Sequence, residues 1–149
     1  MDMNFRHAIV FAIAAISAGG CSTGAFQGPP VPPDKSVVYL YRTHDHIPNE
    51  MLMPLVPKFT PPASLPPVIC GDSSIRLVPG GYHRFVVNPG EMKCSAHTEV
   101  TSSVSISAKP GETYYVKESL NSGFTQVRVN LELVDPADAQ ADLINCMGQ

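Results

Sequence analysis

Thr43-His44-Asp45-His46 sets two imidazoles around a carboxylate. At the end of an extended segment His44 and His46 project to one side, and neutral imidazoles are good ligands for Zn or Cu. A third ligand must come from elsewhere, with Glu50, His83 or His97 as the choices. No HExxH and no paired CxxC accompanies the cluster, so an exposed polar loop after a strand explains the same residues. Gly71-Asp72-Ser73-Ser74 puts a serine beside an aspartate but lacks the G-x-S-x-G elbow of a hydrolase. Gly, Asp and Ser are also what a hairpin turn requires. Carboxylates fall on outward positions of the expected strands, so spacing recommends no acid–base pair. No catalytic residue and no cofactor is expected. Tyr39, Tyr41, Tyr82, Tyr114 and Tyr115 have the rings and polar tips of a sugar- or peptide-binding face, although alternation sends at least half of them inward.

The four cysteines carry more. Cys21 follows Ala8–Ala18, an apolar stretch of 11 residues, and then Gly19-Gly20. Spanning a bilayer takes roughly 18–20 apolar residues, so the run reads as a secretory signal, residues 1–20, and not as a membrane helix. Ala18-Gly19-Gly20-Cys21 resembles the lipobox of bacterial lipoproteins, in which the cysteine is acylated and becomes the first residue. Ala18 stands where that pattern prefers Leu, and ordinary signal peptidase would cut the same bond. An N-terminal thiol kept bare in an oxidising compartment is the less economical reading, so Cys21 is expected to carry lipid. Ser22 resembles the sorting residue of lipoproteins sent to the outer membrane. Cys70, Cys94 and Cys146 are left for disulfide chemistry, enough for one bridge and one thiol over. Cys70–Cys94, the preferred pair, would tie two strands; a bridge to Cys146 would clip the terminal helix to the sheet.

The elements that must position these residues are mostly strands. Residues 21–34 combine the lipid-bearing cysteine with a proline-rich stretch, PPVPP, expected to be an extended tether. The globular part, 35–149, then opens on SVVYLYR (Ser36–Arg42). Thr43–Pro67 is irregular and holds seven prolines, which confine any strand there to an edge. Residues 68–78 read as two short strands around a Gly-Asp-Ser turn. Strands are expected at Tyr82–Asn88, Glu91–Glu99, Val104–Lys109, Thr113–Ser119 and Gln126–Val134. Asn88-Pro89-Gly90-Glu91 and Lys109-Pro110-Gly111-Glu112 both have the pattern of a type II turn. In the last strand Val127, Val129, Leu131 and Leu133 alternate with Gln126, Arg128, Asn130 and Glu132, so one face buries and one is wetted. Met92, Cys94 and Ala96 point inward by the same test. Asp135 is a plausible N-cap with Pro136 at the first helical position, and Ala137, Ala141 and Ile144 share a face of the terminal helix. The sum is a mainly β chain: an antiparallel β-sandwich, Ig- or transthyretin-like, of about seven to eight strands with one short C-terminal helix.

Those residues in that order resemble a known group. The lipobox and proline-rich tether lead into Lys35–Arg42; Gly81-Tyr82, Phe85 and Asn88-Pro89-Gly90-Glu91 follow; then come Ala96-His97-Thr98-Glu99, Lys109–Val116 (KPGETYYV) and Leu131–Asp135 before a short helix. The arrangement is similar to the small bacterial lipoproteins grouped as domain of unknown function 2846, and covers about three quarters of the chain. The resemblance implies an anchored domain facing the cell envelope and transfers no catalytic residue. The Thr43–Pro67 loop is longer and richer in proline than the family leads one to expect.

A net charge of −3 offers no basic face for nucleic acid. The expectation is therefore a lipid-anchored protein of the bacterial envelope, on the periplasmic side and of the outer membrane, acting by contact as a non-enzymatic accessory or scaffold. Its partners would be the membrane, through Cys21, and an envelope protein. The contact surfaces would be an exposed sheet edge and the loop around Met51, Leu52, Met53 and Leu55, apolar residues set between prolines. The alternative is a small-ligand or metal-binding envelope lipoprotein using His44, Asp45 and His46.

Overall fold

Ser36–Tyr41 is β-branched or aromatic at four of six positions, and it forms a strand, β1, buried on both faces. A strand with no wetted face must have a layer on each side. In the computed structural model, which describes residues 26–44, 65–122 and 127–148, those layers are a second sheet on one side and a helix with the N-terminal segment on the other.

The strands follow in order as β2 (Val68–Cys70), β3 (Ser73–Ile75), β4 (Gly81–Val87), β5 (Gly90–His97), β6 (Thr101–Ala108), β7 (Thr113–Ser122) and β8 (Val127–Val134), then helix α1 (Pro136–Leu143) and a two-residue strand β9 (Met147–Gly148). One sheet runs β8-β7-β1-β4-β9 and the other β3-β2-β5-β6. Val38, Leu40, Phe85, Val116, Val129 and Leu131 from the first sheet meet Val68, Cys70, Cys94, Ala96, Ile106 and Ala108 from the second. The fold is thus the expected mainly β sandwich with a short C-terminal helix. Two pairings depart from an all-antiparallel reading: β1 pairs antiparallel with β4 but parallel with β7, and the short β9 pairs parallel with β4. Parallel neighbours need a long crossover, and here it runs through β2 to β6, which include the whole second sheet and, in the same sheet as β1, β4.

Three local expectations are corrected. Leu133 shares the inward phase of Val129 and Leu131 yet is 50% exposed, because β8 is the edge strand of its sheet. The buried stripe of α1 is Ala139 and Leu143, one i,i+4 pair, while Ala137, Ala141 and Ile144 face away from the sheet. The two Pro-Gly turns also differ. Lys109–Glu112 closes with the Glu112 N–H on the Lys109 carbonyl at 3.2 Å and Gly111 at φ 77°, as a type II turn demands. Gly90 already belongs to β5, opposite Ala108, and sits at φ 136° instead.

Candidate functional site

The outer face of the five-stranded sheet gathers aromatic rings. Tyr39 and Tyr115 lie side by side on β1 and β7 and stack with centroids 5.6 Å apart. Tyr82 on β4 closes on Tyr39 at 5.8 Å. Part of this face carries α1, where the Tyr41 hydroxyl and the Lys117 ammonium both donate to Asp142 Oδ2, at 3.0 and 2.9 Å. Burial and the adjacent carboxylate push the Tyr41 phenol well up from its ordinary value. The rest carries the chain's own proline-rich segment. From Phe26 on, the stretch expected to run out as a tether is laid against the sheet. Phe26 packs edge-to-face on Tyr39 at 5.3 Å and on Tyr82 at 5.4 Å, and Val31 joins the same cluster. Arg84 Nη2 donates to the carbonyls of Pro29 and Pro30 at 3.4 and 3.1 Å, groups that extended proline backbone leaves open. A side chain at Gly28 would collide with the Tyr39 hydroxyl, so glycine permits the close approach. Tyr114 stands apart, its hydroxyl 2.6 Å from Glu112 Oε2 and 2.9 Å from the Ser107 carbonyl.

At the end of the sandwich where β1 finishes, the His44 ring packs on Gly80, whose φ of 73° serves the Val78–Gly81 turn. His44 Nε2 lies 3.2 Å from the Asn145 carbonyl. Thr43, His44, Asp142 and Cys146 line a pocket of about 250 Å³ there. Cys146 Sγ lies 3.6 and 3.5 Å from the Arg42 and Asp142 carbonyls. Of the proposed third ligands, His83 packs its ring on Phe85 and His97 Nδ1 meets Thr101 Oγ1 at 2.7 Å. No group of three His, Cys, Asp or Glu is placed to hold a metal among the described residues. His46, Glu50, Cys21 and the loop residues Met51, Leu52, Met53 and Leu55 lie outside the described residues.

Cys70 and Cys94 are opposite each other on β2 and β5 and form the disulfide, so the cross-strand pairing is the one realised. Asp72 and Ser73 are exposed in the β2–β3 hairpin turn, the role that their residue types fit.

The sequence reading put carboxylates on outward positions, and Glu118 corrects it. Glu118 lies opposite Leu131 on the interior face of β7 and is 3% exposed. Arg42, two residues beyond Leu40 on the same face and 6% exposed, is its counter-charge. Arg42 Nη1 and Glu118 Oε2 are both buried without a hydrogen-bond partner. Burial raises the Glu118 carboxyl to about 7 against the opposing pull of Arg42. The signal was available only in three dimensions: the parallel register sets Tyr41 beside Lys117 and hence Arg42 next to Glu118, a pairing 76 residues of sequence do not announce.

An open groove of about 750 Å³ runs between β4 and the β2–β5 pair, bordered by Ile69, Val86 and Met92. Beyond Tyr82, where β9 ends, β4 has no strand on this side among the described residues. No helix among them is long and apolar enough to cross a membrane. No family model matches the chain, and a search of curated proteins returns no match.

Proposed function

We propose that this chain is a lipid-anchored protein of the bacterial cell envelope, acting in the periplasm by contact, as an accessory or scaffold and not as an enzyme. The observation that carries the contact reading is the edge of β4 from His83 to Val87. It adjoins the open groove, and Val86 and Ile69 beside it are each about half exposed. An exposed strand edge with apolar neighbours is a template for an added strand from a partner, main-chain bonds giving affinity and the flanking side chains selectivity. A cross-strand disulfide suits an oxidising compartment. The lipobox-like Ala18-Gly19-Gly20-Cys21 and the motif order shared with domain of unknown function 2846 support the same location.

A photo-crosslinking residue at Val86, in cells, tests the contact. A discrete protein adduct, lost when the crosslinker is moved to exposed Asp138 on α1, is the expected result; adducts only with lipid and abundant porins would remove the reading. Cys21→Ala should release the protein from the membrane fraction, and retention would mean that a lipid does not hold it.

A further inference from the structure

The two ends of the sandwich differ in chemistry. The end at the start of β1 carries Asp34, Lys35, Glu91, Lys109 and Glu112, charged turns linked by bonds such as Lys35 Nζ to Asn88 Oδ1 at 2.6 Å. Three exposed aliphatic residues from distant parts of the chain lie at the other end. Val78 is in the turn before β4, 53% exposed; Val100 is in the turn between β5 and β6, 49%; Ile144 follows α1, 51%. The topology fixes their common end. Gly80 N–H bonds the Thr43 carbonyl, Asn145 meets His44, and Glu99 beside Val100 pairs at 2.8 Å with Arg128, which lies opposite Asn121 beyond the reach of β1. Charges here occur in pairs, Glu99 with Arg128 and Lys117 with Asp142.

The N-terminal segment leaves the fold near the same end. Phe26 is clasped between Tyr39 and Tyr82, and Tyr82 is opposite Tyr41, the last residue of β1. Four residues, 22–25, separate the described fold from Cys21, and the five Cα steps from Phe26 reach at most about 17 Å even when extended. Without the clasp the spacer would run to Asp34 and reach about 45–50 Å.

We propose that the end carrying Val78, Val100 and Ile144 is a membrane-contacting surface, held against a phospholipid bilayer by the clasp that shortens the anchor. This rests on the reading that Cys21 carries lipid. Apolar side chains enter the headgroup boundary, and the charged end points to the periplasm. The open β4 edge is thereby set along the membrane normal, accessible to a partner from the side.

The chain contains no tryptophan, so single tryptophans report without background. Val78→Trp, Val100→Trp and Ile144→Trp, with Glu91→Trp and Lys109→Trp at the charged end, are purified as full-length protein from membranes. Each is reconstituted into phosphatidylethanolamine–phosphatidylglycerol vesicles with brominated acyl chains, its disulfide and melting curve first matched to the parent. The expected result is blue-shifted emission, quenched by brominated lipid, at 78, 100 and 144 and at neither 91 nor 109. Adding Phe26→Ala and Arg84→Ala should abolish that quenching while the protein stays membrane-bound. Equal quenching at both ends, or a blue shift at 78, 100 and 144 that brominated lipid leaves unquenched because protein covers them, overturns the proposal. The mass of the N-terminal peptide decides the anchor separately: an unacylated Cys21 sinks both readings, and an acylated one with the wrong quenching pattern sinks only this one.

Discussion

Glu118 is the residue whose setting most contradicts its type. Its carboxyl is raised to about 7, so the folded chain holds a proton that the unfolded chain, titrating near 4.5, has released. Stability from this group is therefore full below about pH 4.5, declines as pH climbs towards 7 and is lost above it, a change on the order of 3 kcal/mol. Urea melts of wild type and Glu118→Gln across pH 4.5–8 should differ in slope, the variant lacking that decline; parallel curves would place the carboxyl's titration elsewhere. Arg42→Met leaves the ionised carboxylate buried without its counter-charge and should cost about 3–5 kcal/mol at pH 8, and clearly less at pH 5, where Glu118 is neutral. Sequence reading fails here for a physical reason. Alternation along β7 places Glu118 on one face with Val116 and Leu120, but a glutamate there reads as evidence for the wet side until the register supplies Arg42.

Among the elements, those written into local pattern are the ones recovered. The β2–β3 hairpin, the inward phase of Met92, Cys94 and Ala96, the Lys109–Glu112 turn and the Asp135 cap, whose Oδ1 accepts from Ala137 N–H at 3.0 Å, are all short-range. The phase of α1 is not, since Ala137, Ala139, Ala141 and Leu143 alternate around a helix of eight residues and only the sheet beneath selects Ala139 and Leu143. Leu143→Ala should accordingly cost about 2–5 kcal/mol, and Ile144→Ala no more than about 0.5, in thermal or urea unfolding. The β2–β5 junction is tested by reduction. Breaking Cys70–Cys94, which spans 24 residues, should cost about 3 kcal/mol, seen as a lower urea midpoint with dithiothreitol and reproduced by Cys70→Ala/Cys94→Ala without it.

At the scale of the whole molecule, the sandwich was legible because two faces of alternating strands must cover each other, but its third layer was not. Proline-rich composition signals extended backbone and says nothing about what that backbone lies on. The information is in Phe26 and Val31, two apolar side chains within an otherwise polar stretch, and in the tyrosines that alternate onto the outer face of β1 and β7. Tyr39, Tyr82 and Tyr115 gather on that face, and the chain's own Phe26 packs on the first two. A chain beginning at Lys35, the boundary that composition suggests, would strip Phe26 and Val31 from those rings and leave Arg84 without the Pro29 and Pro30 carbonyls. Burying side chains of this size contributes about 1.5–3 kcal/mol each when complete, and these are partly buried, so the loss should be about 2–4 kcal/mol. Residues 26–149 and 35–149, expressed without the anchor, are the pair to compare. The shorter chain should melt lower and bind a hydrophobic dye on the uncovered face, and supplying residues 26–34 as a free peptide should restore part of the difference. Identical melting of the two would mean that the proline-rich segment rests on the sheet without stabilising it.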